Sequence, residues 1–353
     1  MGSSLKCVWP PELVILGYGG IIILSNVSLF MNVTDRKYVI FEKFSKNLFY
    51  INQLLRIDHK DEVYICPLSF KLYTKEGLKN NFEDHLTVEH APPKSSNGKP
   101  ICLTSKSSNN IAGHSLDVII QNHLRLEEYG HKMRPLETKF RFDNSIGVKG
   151  TIENATNAIK IEFTSPVEHQ GIKKINQIIT SQKEFKLTYT LPNTDQRLFD
   201  IAMLRIAYLL AFGHIGYGLL FGITKTINQS YNLIREQIQQ PDKMLIEKIP
   251  VYQDNYPAIL KGVNIIKEPK EYRGLFIVFD LKLDKNILTY GVMLPGPDDY
   301  GYECANQLSN DKKNGKVPEI LMNNLPKLKI EYPNHAIDYY KKWLSYHELT
   351  HNE

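Results

Sequence analysis

Four residues between positions 89 and 114 are of the types that carry out proton transfer and bind metals. Glu89 and His90 stand together just before an Ala-Pro-Pro stretch, and Asn109 and His114 follow. A histidine exchanges a proton near neutral pH, and carboxylate and amide oxygens bind hard divalent cations. For His90 taken alone, a satisfied structural histidine is the common alternative. The company of Glu89 and Asn109 favours a chemical role.

The surrounding residues predict how these side chains are positioned. The proline pair after His90 is typical of a strand end. An Asn-Gly pair at 97 and 98 predicts a tight turn. Two serines at 107 and 108 are good N-caps for a helix that begins at Asn109. The predicted local order is therefore strand, turn, strand and helix, with Asn109 folding back toward His90.

This order resembles the HNH, or ββα-metal, endonuclease family. The nearest subgroup has the pattern EHxxPxSxGGK…CxxCNxxxGxxxD, matched here by EHAPPKSSNGK, by SKSSNNIAG and by Asp117. The resemblance covers roughly residues 66–125, and it is more specific than a lone Glu-His pair because the order, the turn residues and the spacing agree together.

The resemblance implies metal-dependent hydrolysis of nucleic-acid phosphodiester bonds. Glu89, His90 and Asn109 would be the catalytic residues, with His90 as the general base. Mg²⁺, or Mn²⁺ in its place, would be held by Glu89 and Asn109, with His114 within reach of the metal or of a phosphate.

The sequence departs from the family at its zinc site. Such nucleases often clamp the motif with zinc held by two Cys-x-x-Cys pairs, but here the first pair is Cys66 and Ser69 and the second is Ser105 and Ser108. Serine is a poor zinc ligand, and one cysteine does not hold a four-coordinate ion. We therefore predict that structural zinc is absent.

Three lysines surround the motif: Lys94, Lys99 and Lys106. Their usual meaning is a solvated turn. In a nuclease they would contact phosphates and position the strand without reading its sequence.

The bulk properties restrict the function less. The net charge of +5 is compatible with an anionic partner such as nucleic acid but does not establish one. Four cysteines that lie far apart favour reduced thiols in the cytoplasm over a disulfide framework. Of two apolar runs, residues 13–33 are interpreted as buried strands, with a membrane segment as the alternative, and residues 201–223 as a buried helix because they contain Arg205 and His214.

The chain is predicted to be an α+β protein in three parts. Residues 1–62 form an N-terminal segment with a strand at 37–44 and a helix at 47–57. Residues 63–134 form the small ββα-metal (HNH) module, closed by an amphipathic helix after Ser115. Residues 135–353 form a larger mixed α+β C-terminal domain for recognition or assembly. Its predicted strands and helices include strands near 138–143, 148–153, 158–163, 184–191, 275–283 and 288–294, and helices near 231–240 and 335–349.

The sequence thus predicts a cytoplasmic, metal-dependent endonuclease that acts on nucleic acid, with DNA favoured over RNA as the substrate. Its expected setting is defence or a mobile element. A homo-oligomer or a partner subunit is compatible with this function. A catalytically degenerate HNH-fold subunit that binds nucleic acid or takes part in assembly is the second hypothesis, favoured by the lost cysteine pairs. A membrane-tethered protein using residues 13–33 is the third.

Overall fold

The computed structural model describes most of the chain beyond residue 32. The described residues are 33–55, 62–111, 115–142, 147–154, 159–166, 168–181, 186–221, 228–283, 286–297, 306–308 and short pieces between 310 and 345. The predictions for residues 13–32, for His114 and for most of the helix at 335–349 lie outside them.

The helices and strands confirm the α+β class. The helices are α1 (Val33–Leu55), α2 (Lys106–Ile111), α3 (Asp117–Gly130), α4 (Gln170–Thr180), α5 (Gln196–Ile215) and α6 (Gln229–Gln239). The strands are β1 (Tyr64–Ile65), β2 (Leu72–Tyr73), β3 (Leu86–Ala91), β4 (Lys99–Ser105), β5 (Leu136–Phe142), β6 (Val148–Asn154), β7 (Ile159–Phe163), β8 (Leu187–Tyr189), β9 (Val251–Gln253), β10 (Gly262–Glu268), β11 (Leu275–Leu283), β12 (Asn286–Leu294) and β13 (Leu321–Asn324).

Residues 33–55 form one helix where the sequence predicted a strand followed by a helix. The strand at 37–44 is wrong, because α1 runs through it without interruption. Phe41, Phe44, Leu48 and Ile51 are all buried, at spacings of three, four and three residues. This helical spacing places them on one face, and burying that face outweighs the short alternation of apolar and polar residues.

The strand, turn, strand and helix order after residue 85 is confirmed. Helix α2 begins at Lys106, however, three residues before the predicted start, so Asn109 lies inside it. The Ser105 hydroxyl accepts a hydrogen bond from the Ser108 N–H at 3.3 Å, and the Asp84 carboxylate accepts one from the Ser107 N–H at 2.9 Å. These acceptors satisfy N–H groups of the first turn and allow the helix to start earlier.

The four strands predicted between 138 and 191 are confirmed as one antiparallel sheet in the order β7-β6-β5-β8. The sheet and α4 bury a core of their own. Its buried members are Leu136, Phe140, Val148, Ile152, Ile172 and Ile175. The alternating pattern of strands β5 and β6 puts one face of the sheet on this core and leaves the other face polar.

The buried helix predicted at residues 201–223 is confirmed as far as Ile215, where α5 ends, and α5 is buried at almost every position. It begins after Asp195, whose side chain accepts from the Leu198 N–H at 3.0 Å, and it ends at Gly216 with φ +74°. A Cβ at Gly216 would lie 2.3 Å from Oδ1 of Asn47, so glycine is required there. Among the described helices, the stretch 196–219 is the one long and apolar enough to cross a membrane, but 78% of its most apolar window is buried inside the protein. That burial is typical of a core helix.

A second antiparallel sheet has the order β13-β10-β11-β12-β9 and packs against α5. The strands predicted at 275–283 and 288–294 are its central pair, β11 and β12, and the predicted helix at 231–240 is α6. Buried residues of α1, of the β3–β4 hairpin, of α5 and of this sheet form one continuous core. Helix α5 therefore packs directly on the motif, and the boundary proposed at residue 134 stays a prediction.

Candidate functional site

Glu89 and His90 lie on a two-stranded hairpin, and the pairing of its strands is irregular between these two residues. Strands β3 and β4 are antiparallel, and the register shifts between Glu89, which faces Cys102, and His90, which faces Pro100. Such β-bulges re-aim side chains and are frequent next to active sites. The predicted turn is present: Asn97 has φ +66°, and a Cβ at Gly98 would lie 1.5 Å from the Pro92 carbonyl oxygen. Only glycine fits that position.

Glu89 is buried and bound to a residue that sequence reasoning did not assign to the site. Its carboxylate oxygen Oε1 accepts a hydrogen bond from Nη2 of Arg205 on α5 at 2.7 Å, and Oε2 accepts one from the Thr104 hydroxyl at 2.9 Å. Only 4% of Glu89 and 1% of Arg205 are exposed. Nη1 of Arg205 lies 3.4 Å from Oδ1 of Asp117 at the start of α3. One guanidinium therefore joins β3, α3 and α5.

A chain of hydrogen bonds continues from Glu89 to Asn109. The Thr87 hydroxyl donates to the carbonyl oxygen of Thr104 at 3.2 Å, and Nδ2 of Asn109 donates to the Thr87 hydroxyl at 3.1 Å. Thr87 faces Thr104 across the hairpin, so the two threonines connect the strands. Because Nδ2 of Asn109 is used in this way, Oδ1 is the end of the side chain left for another partner.

His90 differs from Glu89 in its surroundings. It is half-buried, and among the described residues it takes no part in the chain of hydrogen bonds that joins Glu89 to Asn109. Burial lowers the pKa of His90, the nearby Glu89 carboxylate raises it in part, and the charges of Lys94 and Arg36 lower it further. The imidazole is therefore neutral at pH 7, which is the form that accepts a proton.

The three predicted phosphate-binding lysines are all exposed but do not form one cluster. Lys94 and Lys99 lie at the turn, and Lys99 faces Ala91 next to His90. Lys106 follows the other end of β4, seven residues from Lys99, which is roughly 20 Å or more along an extended chain. Arg36 on α1 lies near His90 instead, since its positive charge lowers the pKa of that histidine.

The residues at the expected zinc positions form a polar cluster. Sγ of Cys66 accepts hydrogen bonds from the Ser69 N–H at 3.4 Å and from the Ser105 N–H at 3.3 Å. The Ser105 hydroxyl donates to that of Ser108 at 2.9 Å, and Ser108 donates to Gln239 on α6 at 3.1 Å. Hydrogen bonds thus connect the two half-motifs, and the side chains of Cys66, Ser105 and Ser108 are all buried.

The donor atoms of Glu89 and Asn109 are chemically suited to a hard divalent cation. A carboxylate has about four lone-pair positions, of which Arg205 and Thr104 occupy two, and Oδ1 of Asn109 is an oxygen ligand. Within the described residues there is no group of three or more His, Cys, Asp and Glu side chains that could hold a metal. The remaining ligands of such a cation would therefore have to be waters, as Mg²⁺ often keeps, or to come from outside the described part.

Comparison with known proteins does not assign a family. No family model matches the chain, and no curated protein and no solved structure matches it. The HNH assignment therefore rests on the motif residues and stays a prediction.

Arg205, Thr87 and Thr104 are the site residues that sequence reasoning missed. The signal for Arg205 was present, because an arginine inside the apolar run IAMLRIAYLLAF needs a buried acceptor. Its partner lies 116 positions earlier in the chain, and no local pattern identifies it.

Proposed function

We propose that this chain is a metal-dependent endonuclease of the HNH type that hydrolyses phosphodiester bonds in DNA. The observation that carries the proposal is the chain of hydrogen bonds from Glu89 to Asn109 on one hairpin and helix, with a neutral, half-buried His90 at the adjacent bulge. A cytoplasmic setting in defence or in a mobile element follows by analogy with such nucleases.

In this mechanism His90 removes a proton from water. The water oxygen bonds to phosphorus while the bond from phosphorus to one sugar oxygen breaks. The leaving sugar oxygen takes a proton from solvent water, and the proton on His90 passes to the hydroxide so formed, which leaves a phosphate monoester and a sugar hydroxyl. A divalent cation on the oxygens of Glu89 and Asn109 would supply charge neutralisation at the phosphate. Lys94 and Lys99, exposed at the turn next to His90, hold neighbouring phosphates.

The test is cleavage of supercoiled plasmid, single-stranded DNA and RNA with Mg²⁺, Mn²⁺ or EDTA. General-base catalysis contributes about 10²- to 10⁴-fold, so His90→Ala should lose at least about 100-fold in rate. His85→Ala is the matched control, because His85 is half-buried one strand length earlier and interacts with the Phe82 carbonyl group. The control should cleave like wild type. Cleavage that survives EDTA, or that His90→Ala leaves unchanged, would refute the mechanism.

A second function is favoured by one specific observation. Glu89 is 4% exposed, and Arg205 at 2.7 Å compensates its charge, so the buried carboxylate does not require a metal cation. The chain would then be a catalytically degenerate HNH-fold subunit that binds nucleic acid or takes part in assembly. DNA binding by fluorescence anisotropy that is unaffected by Glu89→Gln, without cleavage under any metal condition, would support this function over the first.

A further inference from the structure

We propose that Arg205 is a positioning residue of the site, which holds the Glu89 carboxylate in place for metal binding although it belongs to a helix outside the motif. This inference rests on the proposed nuclease function. Arg205 contacts neither substrate nor reacting atoms in the proposed mechanism and would act through Glu89.

The contacts of Arg205 leave Glu89 little freedom. The 2.7 Å bond from Nη2 to Oε1 and the 2.9 Å bond from Thr104 to Oε2 hold both carboxylate oxygens, so the plane of the carboxylate is set. Arg205 itself is 1% exposed and lies on α5, which is buried at almost every position. A carboxylate held on both oxygens loses little freedom when it binds a cation.

A lysine at position 205 would not hold both carboxylates at once. The two outer nitrogens of the guanidinium point to different carboxylates, Nη2 to Glu89 and Nη1 to Asp117 at 3.4 Å. The flat, rigid fork of arginine suits two acceptors at once, whereas a lysine ammonium is a point charge on a flexible stem. The second anchor on Asp117 keeps the guanidinium from rotating away from Glu89.

The size of the effect follows from how outer partners of metal ligands behave. Loss of such a partner typically costs 10- to 100-fold in metal affinity or activity. Arg205→Lys keeps the positive charge and most of the volume but loses the fork. We expect it to raise the Mn²⁺ concentration for half-maximal cleavage about 10- to 100-fold, with the KM for DNA unchanged.

The experiment measures Mn²⁺ in two ways on the full chain: the dependence of plasmid cleavage on Mn²⁺, and Mn²⁺ binding by electron paramagnetic resonance. Arg197→Lys is the matched control, because Arg197 is on the same helix but its guanidinium donates to the backbone carbonyls of Pro241 and Lys243. Weaker Mn²⁺ binding in Arg205→Lys but not in Arg197→Lys supports the proposal. A wild-type Mn²⁺ dependence in Arg205→Lys overturns it.

Two further results keep this inference separate from the nuclease function. If wild type does not cleave but binds Mn²⁺ in a manner that Glu89→Gln and Arg205→Lys both weaken, the positioning role stands and only the nuclease function fails. If Arg205→Lys does not fold, Asp117→Asn carries the test, since it removes the second anchor and should weaken Mn²⁺ binding in the same direction by a smaller factor. Unchanged Mn²⁺ binding in Asp117→Asn would overturn the proposal.

Discussion

For the buried ion pair of Glu89 and Arg205, we predict that a second mutation restores part of the stability that the first mutation removes. Arg205→Met leaves Glu89 charged, 4% exposed and with the Thr104 hydroxyl as its remaining partner. Removing one partner of a buried ion pair costs about 3–5 kcal/mol, because the other charge stays buried without compensation. Asp117 contributes less to this cost, since its side chain is 31% exposed and can be solvated.

The second mutation should recover part of this loss. Glu89→Gln alone leaves Arg205 with Asp117 at 3.4 Å and should cost about 1.5–3 kcal/mol, the value of a hydrogen bond to a charged group. In the double variant no charge of this pair remains buried, so adding Glu89→Gln to Arg205→Met should raise the free energy of unfolding by about 1–3 kcal/mol.

The assay is urea unfolding at pH 7.5 of wild type, both single variants and the double variant, followed by circular dichroism and tryptophan fluorescence. The exposed pair Lys261 and Asp280, 2.5 Å apart with side chains 41% and 32% exposed, is the control cycle and should couple by only about 0.2–1 kcal/mol. If the two buried mutations add within about 0.5 kcal/mol, or if Glu89→Gln further destabilises Arg205→Met, the account of the buried pair is wrong.

Two other predictions concern the serine cluster and a half-buried carboxyl group on α5, that of Asp200. Replacing Ser69, Ser105 and Ser108 with cysteine completes four thiolates with Cys66, so the triple variant should bind about one zinc per chain by mass spectrometry, and a metal-free triple variant would show that the half-motifs are not close enough. Burial raises the pKa of Asp200 to about 6, above its unfolded value. Ionisation of Asp200 therefore lowers the free energy of unfolding as the pH rises from about 4 to about 6, with the full cost above pH 6 and none below about pH 4. The shift corresponds to at most about 3 kcal/mol, reduced by partial exposure, and Asp200→Asn should therefore raise the free energy of unfolding by about 1–2 kcal/mol at pH 8 but not at pH 4. Equal effects at both pH values would contradict this origin.

Local sequence patterns predicted the parts of the fold that depend on neighbours in the chain. The turn at Asn97 and Gly98, the helix after Ser115 and the strands from 138 to 191 follow from backbone preferences and from periods of two or 3.6 residues. The prediction of a strand at 37–44 was wrong because it also used only neighbouring residues. These eight residues contain both an alternation of apolar and polar side chains and the first part of a helical apolar face. Only the later residues Leu48 and Ile51 show that the spacing is helical.

The candidate site divides in the same way. The sequence by itself determined which residue types stand together, the order of strand, turn, strand and helix, and the need of Arg205 for a buried acceptor. The tertiary structure decided that this acceptor is Glu89, that threonines connect Glu89 to Asn109, and that Lys106 lies away from Lys94. The physical reason is distance along the chain: a contact over 116 residues forms only because α5 packs on the hairpin, and that packing depends on the whole core.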